Sequence, residues 1–192
     1  MQKVSQIKFQ AEDLWPYLSK NWSKQKGWPL LKSESNFRPK KRFGQHFLKN
    51  KDIVQKIVEQ AQLNSDDYVV EVGPGPGILT DALLNSPLKE LISVEIDNQF
   101  WAHLEKKQSP RFLLIKEDAL QYVFDRHKTP LKIVSNLPYN ISTKLILKFF
   151  KNNKSFNELV LMIQKDVAEK LDYNNGKMNK YKFLVNLFCK YQ

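Results

Sequence analysis

The sequence is poor in the features that mark secreted, membrane-bound and metal-dependent proteins. Its single cysteine, Cys189, excludes an internal disulfide and is typical of proteins from the reducing cytoplasm. No apolar run approaches the roughly 20 residues that cross a membrane, and the first residues lack the apolar core of a signal peptide. His46 has no second histidine or cysteine nearby, so a metal site is not expected. The sequence therefore predicts a cytoplasmic protein that binds no metal.

Acidic residues are also in the minority. Lys and Arg number 31 against 20 Asp and Glu, which gives a formal net charge of +11. Such an excess favours a polyanionic partner, most often nucleic acid, although a generally lysine-rich proteome would produce the same balance. The length of 192 residues and a hydrophobic content of 42% predict one domain of ordinary size with its own core.

Glycine is scarce as well, and three of the six glycines lie close together: Gly73, Gly75 and Gly77. An apolar run at 68–70 precedes them and another begins at Ile78, a pattern that predicts a strand, a tight turn and a helix. Glycine lets a ligand approach the backbone closely, and amides at a helix start favour polar or anionic groups. The turn therefore predicts a site for a nucleotide-like cofactor, with an ordinary glycine turn as the alternative.

The residues around this turn favour one cofactor over another. The dinucleotide fingerprint is G-x-G-x-x-G, whereas the spacing here is G-x-G-x-G, and Glu71 lies just before it. A carboxylate at that position would repel a pyrophosphate, but it suits a cationic ligand. Because S-adenosylmethionine carries a sulfonium and an ammonium group, we expect that cofactor, with a dinucleotide as the alternative.

Three successive predicted strands end at or near an acid. Segments 68–70, 91–95 and 112–116 bring Glu71, Glu95 and Asp118 to their carboxyl ends. Ligands of open α/β sheets bind at that edge. Glu95 lies about twenty residues past the glycine turn, the spacing of a carboxylate that binds ribose hydroxyls, and its alternative is a surface glutamate. Asp118 is a candidate acceptor for the adenine amino group of the cofactor.

Further strands at 131–135 and 159–163, with helices between the strands, predict an α/β fold. We expect a mostly parallel sheet with helices on both faces. One helix is predicted from Asn50 as cap to about 63, one from Asp97 as cap to about 107, and one after Asn140 or Ser142. The last of these is expected to bury Leu145, Ile146, Phe149 and Phe150. A helix at 165–171 and a final helix at 181–191, with Phe183, Leu184, Leu187 and Phe188 inward, complete the pattern.

The tetrapeptide Asn136-Leu137-Pro138-Tyr139 follows the fourth of these strands. An exocyclic amine on a base is a poor nucleophile, because its lone pair is delocalised into the ring. The Asn136 side-chain oxygen and the Pro138 carbonyl are candidate acceptors for its hydrogens, and Tyr139 offers a face for an unpaired base. These residues predict methyl transfer to a base amine, with a plain strand-ending turn as the alternative.

Basic residues cluster in two places. Arg38, Lys40, Lys41 and Arg42 form a candidate phosphate-binding segment, with a solvated linker as the alternative. Lysines 144, 148, 151 and 154 could form a second phosphate-facing row or a plain solvated face. Residues 1–37 hold three of the four tryptophans and are expected to be an extension packed on the domain, with an RNA-stacking arm as the alternative.

Taken together, the motifs resemble those of the ribosomal RNA adenine dimethyltransferase family, the KsgA-type enzymes with their Erm relatives. The resemblance covers about residues 39–191 and rests on the blocks 42–48, 71–77, 94–97, 117–119, 136–142 and 164–168. It implies a Rossmann-like methyltransferase that uses S-adenosylmethionine. It also implies two methyl transfers to each of two adjacent adenosines near the 3′ end of small-subunit ribosomal RNA.

The resemblance assigns roles to individual residues. It implies that Gln45, His46 and Leu48 line the cofactor, that Gly73 and its neighbours hold the methionine part, and that Glu95 holds the ribose. Asp118 would hold the adenine, Asn136 would act at the transfer point, and Tyr139 would stack on the target base. The full set of expected cofactor residues is Gln45, His46, Leu48, Glu71, Gly73, Gly75, Gly77, Glu95, Asp118 and Asn136.

The family continues beyond the last block with further strands, a proline-rich block carrying an aromatic over the target base, and a small helical domain. The sequence ends at Gln192, so we expect an extension at 1–37, a catalytic domain at 38–192 that lacks those parts, and an unprotected sheet edge at the fifth strand. The expected partner of the monomeric chain is ribosomal RNA in the immature small subunit. Two alternatives are an inactive RNA-binding assembly factor and a DNA adenine methyltransferase.

Overall fold

The computed structural model describes residues 4–9, 37–45, 47–107, 109–126, 130–172 and 176–191. Seven strands form one sheet in the order β4-β3-β2-β5-β6-β1-β7, and every described pairing is parallel. The strands are β1 (Val4–Phe9), β2 (Tyr68–Val72), β3 (Glu90–Val94), β4 (Phe112–Ile115), β5 (Leu131–Asn136), β6 (Phe156–Met162) and β7 (Cys189–Tyr191).

Helices cover both faces of the sheet, as the sequence predicts. They are α1 (Lys51–Ala61), α2 (Ile78–Leu84), α3 (Trp101–Glu105), α4 (Ser142–Lys151), α5 (Lys165–Leu171) and α6 (Lys180–Phe188). Helices α1 and α2 pack on one face against residues such as Val69 and Val134, which share a buried cluster with Ile53 and Leu83. Helices α4, α5 and α6 pack on the other face. The α/β Rossmann-like prediction is therefore confirmed.

The order of the strands places a crevice beside β2. The chain runs from β2 outward to β3 and β4, and then crosses to the other side of β2 to form β5. Ligands of open α/β sheets bind at such a reversal point, outside the carboxyl ends of the strands. Ser135 fastens the two strands at this end, since its Oγ donates to the Val72 carbonyl at 2.7 Å and accepts from the Val72 amide at 3.3 Å.

Helix starts were predicted with mixed success. Asn50 caps α1 as expected, because its Oδ1 accepts from the amides of Asp52 at 2.8 Å and Ile53 at 3.3 Å. The cap predicted at Asp97 is wrong, since α3 begins only at Trp101 and the Asp97 carboxylate has other partners.

The caps predicted for α4 are also wrong. Ile141 occupies the capping position of this helix and offers no side-chain hydrogen bond to its first amides. The Asn140 side chain instead donates to the Arg42 carbonyl at 2.9 Å, and Ser142 Oγ donates to the Tyr139 carbonyl at 3.3 Å. The predicted inward face of α4 is confirmed, because Leu145, Ile146, Phe149 and Phe150 are all buried.

The inward face predicted for α6 is wrong in part. Phe183 and Leu187 are 59% and 42% exposed, whereas Val185 is fully buried and Leu184 packs against the core. The Phe188 side chain lies outside the described part of the chain. The helix also ends earlier than predicted, since the backbone becomes β7 at Cys189.

The prediction of an unprotected edge at the fifth strand is wrong as well. That strand is β6, and β1 pairs with it in parallel from Gln6 opposite Glu158 to Phe9 opposite Leu161. Part of the predicted extension therefore belongs to the sheet. The other residues of the predicted arm, including its three tryptophans, lie outside the described residues, and the boundary near residue 38 stays a prediction. Among the helices of the described ranges, none has the length and apolar character needed to cross a membrane.

Candidate active site

A cavity of about 290 Å³ opens at the carboxyl ends of β2, β3 and β5. The loops after these strands, the start of the segment after β4 and the segment that precedes α1 line it. The lining residues are 42–45, 47–48, 71–76, 78–79, 94–96, 118–119 and 136–141. The sheet therefore brings all three predicted acids and the predicted tetrapeptide to one cavity.

The glycine turn has backbone angles that side chains would strain. Gly73, Gly75 and Gly77 have φ values of +68°, +55° and +84°. A Cβ atom on Gly73 would lie 3.0 Å from the Pro138 ring, so the turn packs directly against the tetrapeptide loop. Gly77 does not line the cavity and packs instead against Lys107, to whose side chain a Cβ atom would approach within 2.6 Å.

The amides of these glycines already have partners within the protein. Gly73 donates to the Val94 carbonyl at 2.9 Å, Gly77 donates to the Pro74 carbonyl at 2.9 Å, and Gly75 donates to Glu95 Oε2 at 3.0 Å. The turn therefore lacks the cradle of free amides that a pyrophosphate requires. The role expected of the amides at the start of α2 stays a prediction, whereas Glu71, Glu95 and Asp118 bring three carboxyl groups to the cavity.

Glu71 is buried beneath these loops and lines the cavity. Its Oε2 accepts hydrogen bonds from Thr80 Oγ1 at 2.8 Å and Ser93 Oγ at 2.9 Å. Burial raises the pKa of Glu71 to about 7, and the two hydroxyl hydrogen bonds only partly oppose that effect. The carboxyl group therefore changes its charge near neutral pH.

Glu95 holds the glycine turn as well as facing the cavity. Besides the bond from Gly75, its Oε1 accepts from the Asp97 amide at 2.8 Å. Burial raises the pKa of Glu95, and these backbone donors lower it in turn. Because a carboxylate offers about four acceptor positions, Glu95 can still accept bonds from a ligand hydroxyl.

Asp118 lies on the same edge and is only partly buried. Its Oδ1 accepts from the Leu120 amide at 2.8 Å, which shapes the loop after β4. Lys148 of α4 secures this loop, since its Nζ donates to the carbonyls of Ala119, Leu120 and Tyr122 at 3.0, 2.8 and 2.6 Å. Lys148 is therefore part of the scaffold, and the predicted row of phosphate-facing lysines is broken at that position.

The tetrapeptide presents its polar groups at the same cavity. Asn136 is the last residue of β5, and Tyr139 is half-buried, which raises the pKa of its hydroxyl. The Pro138 carbonyl, predicted as an acceptor for the target amine, accepts the Ile141 amide at 3.2 Å inside its own loop. Only one lone pair of this carbonyl remains for a ligand. Its predicted role is therefore less well supported than that of the Asn136 side chain.

The segment before α1 supplies the remaining wall. Leu48 and Gln45, both predicted cofactor residues, line the cavity. Gln45 Oε1 accepts from the Lys40 amide at 2.8 Å, and Gln45 Nε2 donates to Asp97 Oδ2 at 2.8 Å. Lys40 forms an ion pair of 2.7 Å with Asp97, which sequence reasoning assigned only to a helix cap. The sequence feature that could have indicated a site role for Asp97 is its position two residues after Glu95, just past the end of β3.

The other predicted RNA-binding residues are distributed differently. Arg38 and Arg42 are exposed, and the Arg42 guanidinium lies 4.6 Å from the centre of the Phe43 ring. The Lys41 side chain and His46, a predicted cofactor residue, lie outside the described residues. Within the part of the chain that the structure describes, no group of three His, Cys, Asp or Glu side chains is arranged to hold a metal ion.

Comparison with known proteins agrees with this geometry. A family model described as ribosomal RNA adenine dimethylase matches residues 36–192. The chain belongs to the ribosomal RNA adenine dimethylase family. Membership in this family confirms the predicted cofactor, S-adenosylmethionine. The cavity fits that molecule, because carboxylates line it and the glycine amides are not available to a pyrophosphate.

Curated relatives are longer than the chain. A ribosomal RNA small subunit methyltransferase A from Hydrogenobaculum is 44% identical over 134 residues, which are 70% of this chain and 52% of the relative. The protein of the same name from Ureaplasma urealyticum is 37% identical over 172 residues, with coverages of 83% and 60%. The chain thus spans about half to three fifths of the length of such relatives.

Solved structures of the family share the fold. A dimethyladenosine transferase from Plasmodium falciparum superposes with a TM-score of 0.67 at 33% identity, covering 76% of this chain and 54% of the other. The 23S rRNA methyltransferase ErmE superposes with a TM-score of 0.60 at 27% identity, with coverages of 70% and 54%. Both similarities support the resemblance found in the sequence.

Proposed function

We propose that this member of the ribosomal RNA adenine dimethylase family transfers methyl groups from S-adenosylmethionine to the N6 amines of adenosines in small-subunit ribosomal RNA. The observation that carries the proposal is the meeting of Glu71, Glu95 and Asp118 with Asn136 and Tyr139 at one cavity. The names of the curated relatives support the ribosomal small subunit as the substrate. The resemblance further favours two adjacent adenosines near the 3′ end, methylated during cytoplasmic ribosome biogenesis.

The residues divide the work between donor and acceptor. When bound, S-adenosylmethionine supplies an activated methyl group. Glu95 accepts hydrogen bonds from its ribose hydroxyls, and Asp118 accepts one from its adenine amine. The Asn136 side-chain oxygen accepts a hydrogen of the target amine and so holds the nitrogen lone pair toward the methyl group. Tyr139 stacks on the target base, and the proton released from the methylated amine passes to solvent.

The charge of the protein suits a polyanionic substrate. The net charge is +11, and Arg38 and Arg42 are exposed on the segment that lines the cavity mouth. Arg42 also lies over the Phe43 ring, so a cation and an aromatic surface are presented together. These residues are proposed to contact RNA phosphates, whereas the Lys40 charge is already paired with Asp97.

The test is methyl transfer by the purified chain from radiolabelled S-adenosylmethionine. Small subunits that lack the modification, naked ribosomal RNA and duplex DNA are compared as substrates. We expect transfer to the unmodified subunits or their RNA and none to DNA. Transfer to DNA alone would contradict the substrate class. Cofactor binding without any transfer would instead favour the inactive assembly factor.

Substitution of Asn136 tests the assigned chemistry. We expect Asn136→Ala to lower the transfer rate by about 100-fold or more, because its oxygen acts mainly on the amine in the transition state. Cofactor affinity, measured by isothermal titration, should change far less. Asn85→Ala, at an exposed position after α2, is the matched control. Wild-type turnover in Asn136→Ala would remove this residue from the mechanism.

A further inference from the structure

Residues 37–45 cross the mouth of the cavity, and we call them the N-terminal strap. Its residues 42–45 line the cavity together with the glycine turn. The strap is tied to the loop after β3 on one side and to the loop after β5 on the other. Because β2 lies between these two strands, a segment held at both points passes over the turn that follows β2.

The anchor on the β3 side is centred on Asp97, which is 1% exposed. Its carboxylate accepts hydrogen bonds from Lys40 Nζ at 2.7 Å and Gln45 Nε2 at 2.8 Å, both on the strap. Gln99 donates to the same carboxylate. Burial disfavours the charge, but these donors outweigh it and lower the pKa of Asp97. The strap is therefore held here by charge-assisted hydrogen bonds.

The anchor on the β5 side is neutral. Asn140 Nδ2 donates to the Arg42 carbonyl at 2.9 Å, and the Tyr139 amide donates to the Gly44 carbonyl at 3.4 Å. Gly44 has φ +60°, and a Cβ atom there would come within 2.7 Å of Asn140. Only glycine fits both the backbone angle and this close contact. The strap therefore meets the loop that carries the proposed target-binding residues.

We infer that Asp97 and Asn140 are positioning residues that hold the strap over the bound cofactor, so that one anchor must open before the cofactor can exchange. The inference rests on the proposed cofactor site. Neither side chain is needed as a ligand. Each anchor consists of a few hydrogen bonds. Because the net free energy of such bonds is small, an anchor can open and close repeatedly. The strap thus sets how fast the cofactor enters and leaves.

The rates of cofactor exchange test this role. Binding of S-adenosylmethionine is followed by stopped-flow fluorescence, with Trp101 as a nearby reporter because its Nε1 donates to the Glu95 carbonyl at 3.1 Å. We expect Asn140→Ala, Asp97→Asn and the milder Lys40→Met each to raise both the association and the dissociation rate constant, by about three- to tenfold. Loss of a direct ligand, as in Asp118→Ala, should raise the dissociation rate constant alone.

Two controls preserve the strap. Asn152→Ala removes an amide that bonds at the far end of α4, and Glu105→Gln removes a surface carboxylate on α3. Both should exchange the cofactor at the wild-type rates. Rate constants that stay unchanged in the three strap variants would overturn the role of the anchors and would leave the proposed methyl transfer standing.

A measurement without cofactor separates the two proposals. Hydrogen exchange of the Tyr139 amide reports directly on the β5-side anchor, and we expect it to be at least about fivefold faster in Asn140→Ala, with the Val70 amide of the core unchanged. Protection that does not change in this variant would overturn the strap even if the protein proved inactive. Faster amide exchange with unchanged cofactor rates would overturn it too, because the strap would then open without limiting exchange.

Discussion

Glu71 carries its carboxyl group in a setting that few acids occupy. It is 2% exposed, and the hydroxyls of Thr80 and Ser93 donate to one of its oxygens. Burial raises its pKa from 4.5 to about 7. A cationic ligand in the same cavity would favour the ionised form, which connects the charge of this residue to occupancy of the site.

The pKa of Glu71 predicts a specific dependence of stability on pH. Between its unfolded pKa near 4.5 and its folded pKa of about 7, the folded protein holds more protons than the unfolded chain. The free energy of unfolding therefore falls as pH rises through this window. A pKa shift of this size changes the free energy of unfolding by about 3 kcal/mol. A glutamine at this position cannot titrate, so it removes this dependence on pH.

Between pH 5 and pH 7.5, we expect the free energy of unfolding of Glu71→Gln to rise by about 2–3 kcal/mol relative to that of the wild type. Urea unfolding of both proteins at the two pH values measures this difference. Glu105→Gln, which replaces a carboxyl group that is about half exposed, should give a curve parallel to that of the wild type. A parallel curve for Glu71→Gln would mean that the carboxyl group titrates normally in the folded protein.

At the scale of single residues, the sequence predicted the acids but not their partners. Glu71, Glu95 and Asp118 could be found because each lies at or just after the end of a predicted strand, and parallel strands end at a common edge. Asp97 could not, since its partners Lys40 and Gln45 lie far from it in the sequence and meet it only in the fold.

At the scale of elements, α4 links the two halves of the site. The helix begins directly after the tetrapeptide loop, and its Lys148 reaches the loop after Asp118 on the far side of the cavity. The proposed acceptor side and the proposed adenine side of the site are thus held by one element. Burial lowers the pKa of Lys148, and the nearby Asp118 carboxylate raises it.

Replacing Lys148 tests this link. Lys148→Met keeps the length and apolar stem of the side chain but leaves three backbone carbonyls without their donor. We expect the free energy of unfolding to fall by about 1–3 kcal/mol. Lys151→Met, on an exposed position of the same helix, should change it by no more than about 0.5 kcal/mol. Equal urea midpoints for the two variants would show that Lys148 is an ordinary surface lysine.

The contrast between α4 and α6 explains which helix faces could be predicted. The buried residues of α4 recur at helical spacing between lysines, so one face is marked. Helix α6, with the sequence KYKFLVNLF, has apolar residues on all sides, and the pattern does not select a face. Packing decides instead, which buries Val185 and even Lys182 while leaving Phe183 exposed.

At the scale of the whole molecule, the sheet contains a strand that sequence reasoning did not find. The segment VSQIKF forms β1 between β6 and β7, and its backbone pairs with both neighbouring strands. Strands β2 to β6 could be predicted because each is apolar and bounded by turns. The position of β1 could not be predicted, because the sequence of a short strand does not specify which edge of the sheet it pairs with.

Deletion of residues 1–10 tests the contribution of β1. The deletion removes the backbone pairing on β6, so we expect a loss of about 2 kcal/mol or more in the free energy of unfolding. Self-association should also rise with concentration, because an open edge pairs with other chains. Urea unfolding and light scattering during size-exclusion chromatography measure the two effects. Deletion of residues 1–3 alone, which keeps Val4–Phe9, should have neither effect.

The position of β1 also has a kinetic meaning for protein synthesis. Val4–Phe9 leaves the ribosome long before its neighbours Phe156–Met162 and Cys189–Tyr191. Contacts so distant in sequence form slowly. Strands β2 to β5 can therefore fold around the crevice before β1 is paired, and β1 joins the sheet only after its neighbours have been synthesised. The nascent chain thus carries β1 unpaired until these neighbours have been synthesised, which makes β1 a natural ligand for a chaperone.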